Sequence, residues 1–145
     1  MKKILLLIIC NLLLSVGFAQ WQQANNGLFR GSVRATTIDP ATNYLYAGTR
    51  GSGIFLSTNN GSTWTAVNNG LSNINVESIA ISGTNIFAGT QSGVFKSTNN
   101  GSSWTAVNNG FSRDELSVKS LAINGSNIFA GTSSGVYLST DSGGN

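Results

Sequence analysis

The side chains able to do chemistry in this chain are few. It has no His and one Cys, Cys10. Ser–His and Cys–His nucleophile systems are therefore absent, along with most transition-metal ligand sets. No phosphate-cradling loop or dinucleotide fingerprint occurs. The acids are Asp39, Glu77, Asp114, Glu115 and Asp141. Glycoside hydrolysis needs two facing carboxylates. Asp39 sits in IDPATN, a turn with Pro40. Asp114 and Glu115 are adjacent in a loop, and Glu77 leads into a strand. No spacing among them builds a pair. The expectation is a chain with no catalytic residue, no metal and no cofactor. Arg30, Arg34 and Arg50 are the candidate ligand-binding residues, because Arg forms bidentate contacts to carboxylates and other anions. The competing reading is three solvated surface arginines.

Charge and the N-terminus bound the setting. Lys2 and Lys3 precede an apolar run from Ile4 to Leu14, and Gly17-Phe18-Ala19 follows. A short positive region, an apolar region and small residues before a cut form a secretory signal. Residues 1–19 are read as that signal, with Gln20 at the mature start and an exported, secreted or periplasmic protein as the consequence. The run is shorter than the roughly 20 apolar residues of a membrane span, so no span is expected after signal removal. Cys10 follows too short an apolar stretch, with Ile9 bulky where a lipoprotein needs a small residue. Loss of the signal leaves no Cys, and stability must come from packing. Of eight Lys and Arg, the six outside the signal face five acids, a net charge of +1. The basic pI of 9.4 therefore gives no support for nucleic-acid binding.

The elements that position these side chains follow from a repeat. Residues 20–145 divide into three units that each begin at a Trp: 21–63, 64–103 and 104–145. Their period of about 40 residues matches four-stranded propeller blades, and also helical repeats. The local pattern decides. Val76–Ser82 alternates and is rich in β-branched residues, Asn85–Thr90 and Val94–Ser97 follow after Gly-containing turns, and Trp104–Val107 comes after Asn99-Asn100-Gly101. Such runs read as meandering antiparallel strands. Asn-Gly marks hairpins because both residues tolerate positive φ. The other units repeat the scheme as Ala35–Asp39, Tyr44–Thr49 and Ile54–Ser57, and as Val118–Asn124, Asn127–Thr132 and Val136–Ser139. No helical stripe appears. The fold class is all-β. Ala-Gly-Thr recurs at 47–49, 88–90 and 130–132; its Gly either lets blades approach or starts the next turn. Three Asn-Gly-Ser sequons, at Asn60, Asn100 and Asn124, coincide with turns and are read as turns.

The sharpest repeat is STNNGSTWTAVNNG at 57–70, which recurs at 97–110 with one change. It contains Ser57, Asn59, Gly61 and Trp64, then Ser97, Asn99, Gly101 and Trp104; a third copy has Ser139, Asp141 and Gly143. This S-x-[DN]-x-G-x-x-W pattern resembles the Asp-box, or BNR repeat, of sialidase-like and sortilin-like β-propellers, with Asn in two boxes where the family usually has Asp. The resemblance covers nearly all of 20–145. It implies a hairpin between third and fourth strands at the outer edge of a blade, away from the ligand face, with a structural role for the box residues. Local physics agrees: Ser and Asx side chains close turns, Gly takes positive φ, and Trp carries a large apolar area. Metal binding at Asp141 is disfavoured by Asn at the equivalent positions, since hard cations need several carboxylate oxygens. A sialidase-type site would need three arginines from different blades, a Tyr with a Glu, and an acid; this chain presents no assembled match.

The ends read as complementary. Trp21–Ala24 has fourth-strand character with no box before it, and the third unit lacks a fourth strand. Three blades fall below the usual four to eight, so the expectation is an incomplete propeller: either the frame continues past Asn145, the reading favoured by a stop inside a box, or chains self-associate. The function that follows is an exported, non-catalytic binding or scaffolding surface for a glycan or protein. The alternatives are a fragment of a sialidase-like or other glycoside hydrolase, and a sortilin-like or photosystem-assembly-like protein-binding factor. Recognition is expected in the loops 72–75 and 112–117, which differ between units.

Overall fold

The computed structural model describes residues 21–29, 31–112 and 116–144. The signal reading (1–19), Cys10, Arg30, Arg113, Asp114 and Glu115 lie outside the described residues. Among those described there is no helix, and eleven strands form three antiparallel sheets. The first sheet is β1 (Ser32–Ile38), β2 (Leu45–Arg50), β3 (Gly53–Ser57) and β4 (Thr65–Ala66), hydrogen-bonded in that order. The second repeats it with β5 (Val76–Ser82), β6 (Asn85–Thr90), β7 (Gly93–Ser97) and β8 (Thr105–Ala106). The third has β9 (Val118–Asn124), β10 (Asn127–Thr132) and β11 (Gly135–Ser139), with β11 at the edge. These are propeller blades, stacked so that the first strands β1, β5 and β9 contact one another in turn.

Apolar side chains fill the space between neighbouring sheets. Tyr46, Ile54, Leu71, Val76, Ile86, Ala88, Phe95 and Trp104 form the cluster between the first two blades. Phe87, Val94, Val118, Ile128 and Ala130, with Val107, Phe111 and Tyr137 packed against them, form its counterpart between the second and third. Of the two readings of Ala-Gly-Thr, close approach is what the geometry shows. A Cβ at Gly48 would come within 2.7 Å of Val76 Cγ1, and one at Gly89 within 2.7 Å of Val118 Cγ1, each on the next blade. The Thr of each triplet serves the turn instead. The hydroxyls of Thr49, Thr90 and Thr132 donate to the carbonyls of Gly53, Gly93 and Gly135, closing the turn between second and third strands.

Several boundaries differ from the sequence reading. β1 begins at Ser32 rather than Ala35, because a bulge between Val33 and Ala35 carries the pairing further. The fourth strands shrink to two residues, Thr65–Ala66 and Thr105–Ala106. Beyond them the ladder is replaced by a side chain: Asn68 Oδ1 accepts the Ile54 N–H while its Nδ2 donates to the Ser52 carbonyl, and Asn108 does the same for Val94 and Ser92. Trp21–Ala24 forms no strand. It does not lie along β11 of its own chain but against the first blade, where the Ala24 carbonyl accepts Trp64 Nε1–H and the Asn26 carbonyl accepts the Trp64 N–H.

Candidate functional site

Turns divide the blades into two ends. One carries the hairpins between third and fourth strands; the other carries the starts of the first strands and the turns between second and third.

At the first end, the Ser57 hydroxyl accepts the Gly61 N–H at 2.9 Å and donates to Asn59 Oδ1, which also accepts the Thr63 N–H. Asn59 Nδ2 donates to Thr63 Oγ1. Asn60 and Gly61 both take positive φ, 55° and 81°, a conformation these two residue types tolerate. Ser97, Asn99, Asn100 and Gly101 reproduce the arrangement with Ser103 in place of Thr63. In the third copy the Ser139 hydroxyl donates to Asp141 Oδ1 and accepts the Gly143 N–H, and Asp141 Oδ1 accepts the Gly144 N–H. Asp and Asn thus supply the same acceptor oxygen. Trp104 Nε1–H donates to the Val67 carbonyl of the preceding blade while the ring is buried among Ile54, Ile86 and Phe95. Gly101 packs on Tyr46 and Val67 of that blade, and Gly143 on Phe87 and Val107. The hairpin polar groups are therefore committed to holding the turn and joining one blade to the next.

Asp39 belongs to this end too. Its Oδ1 accepts the Ala41 N–H and its Oδ2 the Thr42 hydroxyl. These bonds, Thr42 first, hold its carboxyl below the usual carboxylate range.

The opposite end holds side chains of a different kind. Each first strand has a bulge at the same register: between Val33 and Ala35, between Val76 and Ser78, and opposite the Gly131–Thr132 step, where Val118 pairs with Thr132 and Ser120 with Gly131. The bulged residues are Arg34, Glu77 and Lys119. A bulge adds an unpaired residue and re-aims its side chain, here at the inner rim of three adjacent blades. Arg34 Nε lies 4.0 Å from Glu77 Oε2 across the first two blades. Gln91 Nε2 donates to Glu77 Oε1. Arg50 ends β2 opposite Ser32, and its backbone bridges to Asn75. Loop 72–75 ties the turns together: the Ile74 carbonyl accepts the Gly51 and Gly53 N–H groups, and Asn73 Nδ2 donates to Ser92 Oγ. Arg34 and Arg50 thus reach one face; Arg30 lies outside the described residues. Glu77 and Lys119 are residues that sequence reasoning did not select. Their signal was available in the aligned segments Val33-Arg34-Ala35, Val76-Glu77-Ser78 and Val118-Lys119-Ser120. Among the described residues no cluster of His, Cys, Asp and Glu could hold a metal ion, and no helix is long and apolar enough to cross a membrane.

Comparison with solved structures places this architecture among β-propellers. The chain is similar to an ancestral GH74 enzyme (TM-score 0.70, 27% identity, over 86% of this chain and 19% of that one). It is similar to an extracellular domain from B. thetaiotaomicron (TM-score 0.65, 22% identity, 81% of this chain and 16% of that one). It is also similar to YCF48 bound to a D1 peptide (TM-score 0.63, 17% identity, 83% and 41%). The chain therefore spans about a fifth of the GH74 enzyme and under half of YCF48. No protein-family model matches the sequence, and no curated protein matches it.

Proposed function

We infer that this chain is the binding portion of an exported, non-catalytic β-propeller of the Asp-box type, and that a protein or glycan ligand meets the rim of Arg34, Glu77 and Lys119, with Arg50 alongside; Arg30 is a further candidate from the sequence. One observation carries the reading. Three structurally equivalent bulges hold three different charged side chains, while the hairpins at the other end are nearly identical and spend their polar groups internally. Variation on a fixed scaffold is where specificity resides. The secretory segment 1–19, the propeller region 20–145 and the need for further blades, from longer sequence or from association, belong to this reading. Propeller neighbours described with a bound peptide or as an extracellular domain support it.

The test is a glycan array and a peptide library probed with the chain, then with a variant carrying Arg34→Ala, Glu77→Ala and Lys119→Ala. Loss of the retained ligand in the variant is expected. Equal binding by both proteins, or no ligand on either screen, would overturn the assignment. A second reading is favoured by the GH74 likeness: the chain is a segment of a glycoside hydrolase whose paired acids lie in other blades. Sequencing the frame beyond codon 145 tests it, and further blades bearing no facing carboxylates would remove it. A protein-binding assembly factor is the third, supported by YCF48; capture of protein but not glycan would single it out.

A further inference from the structure

The geometry points to Asn69 as a site of spontaneous covalent modification: its side-chain amide is lost through a cyclic imide formed with Gly70, while the Asn-Gly pairs of the edge hairpins are shielded from the same reaction by the box serines.

Asn-Gly occurs in two settings within the repeat. Asn60-Gly61 and Asn100-Gly101 sit in the hairpins between third and fourth strands, and Asn69-Gly70 sits in the link from β4 to β5. The reaction makes the same demands in each. The Gly nitrogen gives up its proton to a base from solvent and forms a bond to the Asn Cγ. The bond from Cγ to the side-chain nitrogen breaks, and that nitrogen takes up a proton and leaves as ammonia. Water then opens the five-membered imide at one carbonyl or the other, giving Asp or isoaspartate, and nothing is oxidised or reduced. The step therefore needs a Gly N–H that solvent can reach and an Asn side chain able to turn onto it. Asn is thermolabile for this reason, and Gly, with no Cβ, puts nothing in the way of the ring.

In the hairpins the first demand is not met. The Gly61 N–H donates to the Ser57 hydroxyl and the Gly101 N–H to the Ser97 hydroxyl, each at 2.9 Å. Both glycines are buried.

At Asn69 both demands are met. Asn69 and Gly70 are exposed. The Gly70 N–H donates to no acceptor among the described residues. The Asn69 side chain makes one long bond among them, from Nδ2 to the Ser102 carbonyl at 3.5 Å. Its neighbour Asn68, by contrast, has both ends of its amide engaged, at 2.7 and 3.0 Å. Packing also fixes the residue that follows. Gly70 takes a φ of 81°, and a Cβ there would run into the Trp104 carbonyl. The second blade thus imposes Gly at the position where Gly favours the reaction.

The products alter a contact between blades. The Asn69 main-chain carbonyl accepts the Trp104 N–H at 2.9 Å. In isoaspartate the main chain runs through the former side-chain carbon, and that carbonyl becomes part of a free carboxylate. In Asp a carboxylate faces the Ser102 carbonyl where an amide donor stood. Either product adds a negative charge beside the joint between the first and second blades.

Incubation of the folded chain at mildly alkaline pH, followed by chymotryptic digestion, tests this. Cleavage after Trp64 and Leu71 puts Asn60, Asn69 and Asn100 on separate peptides, and electron-transfer mass spectrometry counts Asp and isoaspartate at each. Asn69 is expected to convert about tenfold faster than Asn60 and Asn100, the effect of one hydrogen bond on a barrier. In concentrated urea the three rates should converge. Equal rates in the folded chain, conversion of Asn69 only after unfolding, or a lead for Asn69 that persists in urea would overturn the proposal. Ser57→Ala should raise conversion at Asn60 about tenfold and leave Asn100 unchanged. No rise at Asn60, or an equal rise at both, would remove the shielding role of Ser57.

Discussion

The two interblade interfaces are built from the same positions and end differently. Between the first and second blades, Trp104 is 4% exposed and completes the cluster around Ile54, Ile86 and Phe95. Between the second and third, equivalent side chains surround a cavity, and Phe111 and Tyr137 come together with ring centroids 4.8 Å apart. Among the described residues, only the first interface has a Trp ring at its centre. The Trp that begins each fourth strand joins its own blade to the one before it.

Removing that Trp is the strongest way to test the contrast. Trp104→Ala would give the first interface a cavity like that of the second. A buried aromatic truncated to Ala costs about 3–5 kcal/mol, and the orphaned Val67 carbonyl adds to the loss. Urea unfolding followed by circular dichroism should show stability fall by that amount. A loss below about 1 kcal/mol, far under the usual cost of such a truncation, would mean that the Trp ring is not what joins these blades.

The glycines sharpen the same comparison at a smaller scale. Gly48→Ala places a methyl against Val76 and Ile79 of the next blade, where Cβ contacts of 2.7 and 3.1 Å leave no room. Overpacking of this kind costs about 1–3 kcal/mol. Gly131→Ala, at the equivalent place in the third blade, meets only Ser120 of its own sheet, chiefly its hydroxyl. It should cost less, and a thermal unfolding series comparing the two checks it. Equal losses would show that the glycine serves the turn rather than the neighbouring blade.

Much of this was legible in the residues. The Trp-to-Trp period marks the blades, and Asn60-Gly61 and Asn100-Gly101 mark turns whose positive φ they adopt. The Ala-Gly-Thr triplets mark the second strands. What escaped was whatever depends on a partner strand. A bulge is a property of register between two strands, so Arg34, singled out as a loop arginine ahead of the first strand, and Glu77 and Lys119, ordinary strand residues by sequence, are not seen as equivalent until β1, β5 and β9 are paired with β2, β6 and β10. The clamp role of Asn68 and Asn108 is equally non-local, since each closes onto residues 14 and 16 positions away. Trp21–Ala24 has fourth-strand character in sequence and forms no strand; its carbonyl at Ala24 instead accepts the Trp64 Nε1–H of the first blade.

Acid tests the hairpin end against the rim. Bonds from Thr42 and Ala41 hold the Asp39 carboxyl below its ordinary range. Its contribution is complete above the unfolded value near 3.9 and is lost as pH falls through the lower folded value. Asp39→Asn keeps one acceptor oxygen and puts a donor NH2 in place of the other, so one of the two bonds loses its acceptor; it should cost about 1–2 kcal/mol near neutral pH. It should also flatten the decline of stability on the acid side. Stability measured against pH across the acid range checks this, and an unchanged acid limb would shift the acid sensitivity to other carboxylates.

The smallest effect should come from Tyr46, and it should run the other way. Tyr46 occupies the place that Phe87 holds one blade on, and it is fully buried, yet its hydroxyl has no hydrogen-bond partner among the described residues. An unsatisfied buried hydroxyl is a standing cost, so removing it while keeping the ring is neutral or favourable. Tyr46→Phe should therefore raise stability by up to about 1 kcal/mol. Burial, with the nearby Asp39 charge, pushes the phenol up to about 12. The unfolded chain ionises near 10, so in the native protein stability is full below that value and falls as pH rises towards 12. The Phe variant should lose that alkaline component while keeping the rest of its profile. Were Tyr46→Phe destabilising at neutral pH, the hydroxyl would have to be bonded in the folded protein, and the two interfaces would differ at this position as well as at Trp104.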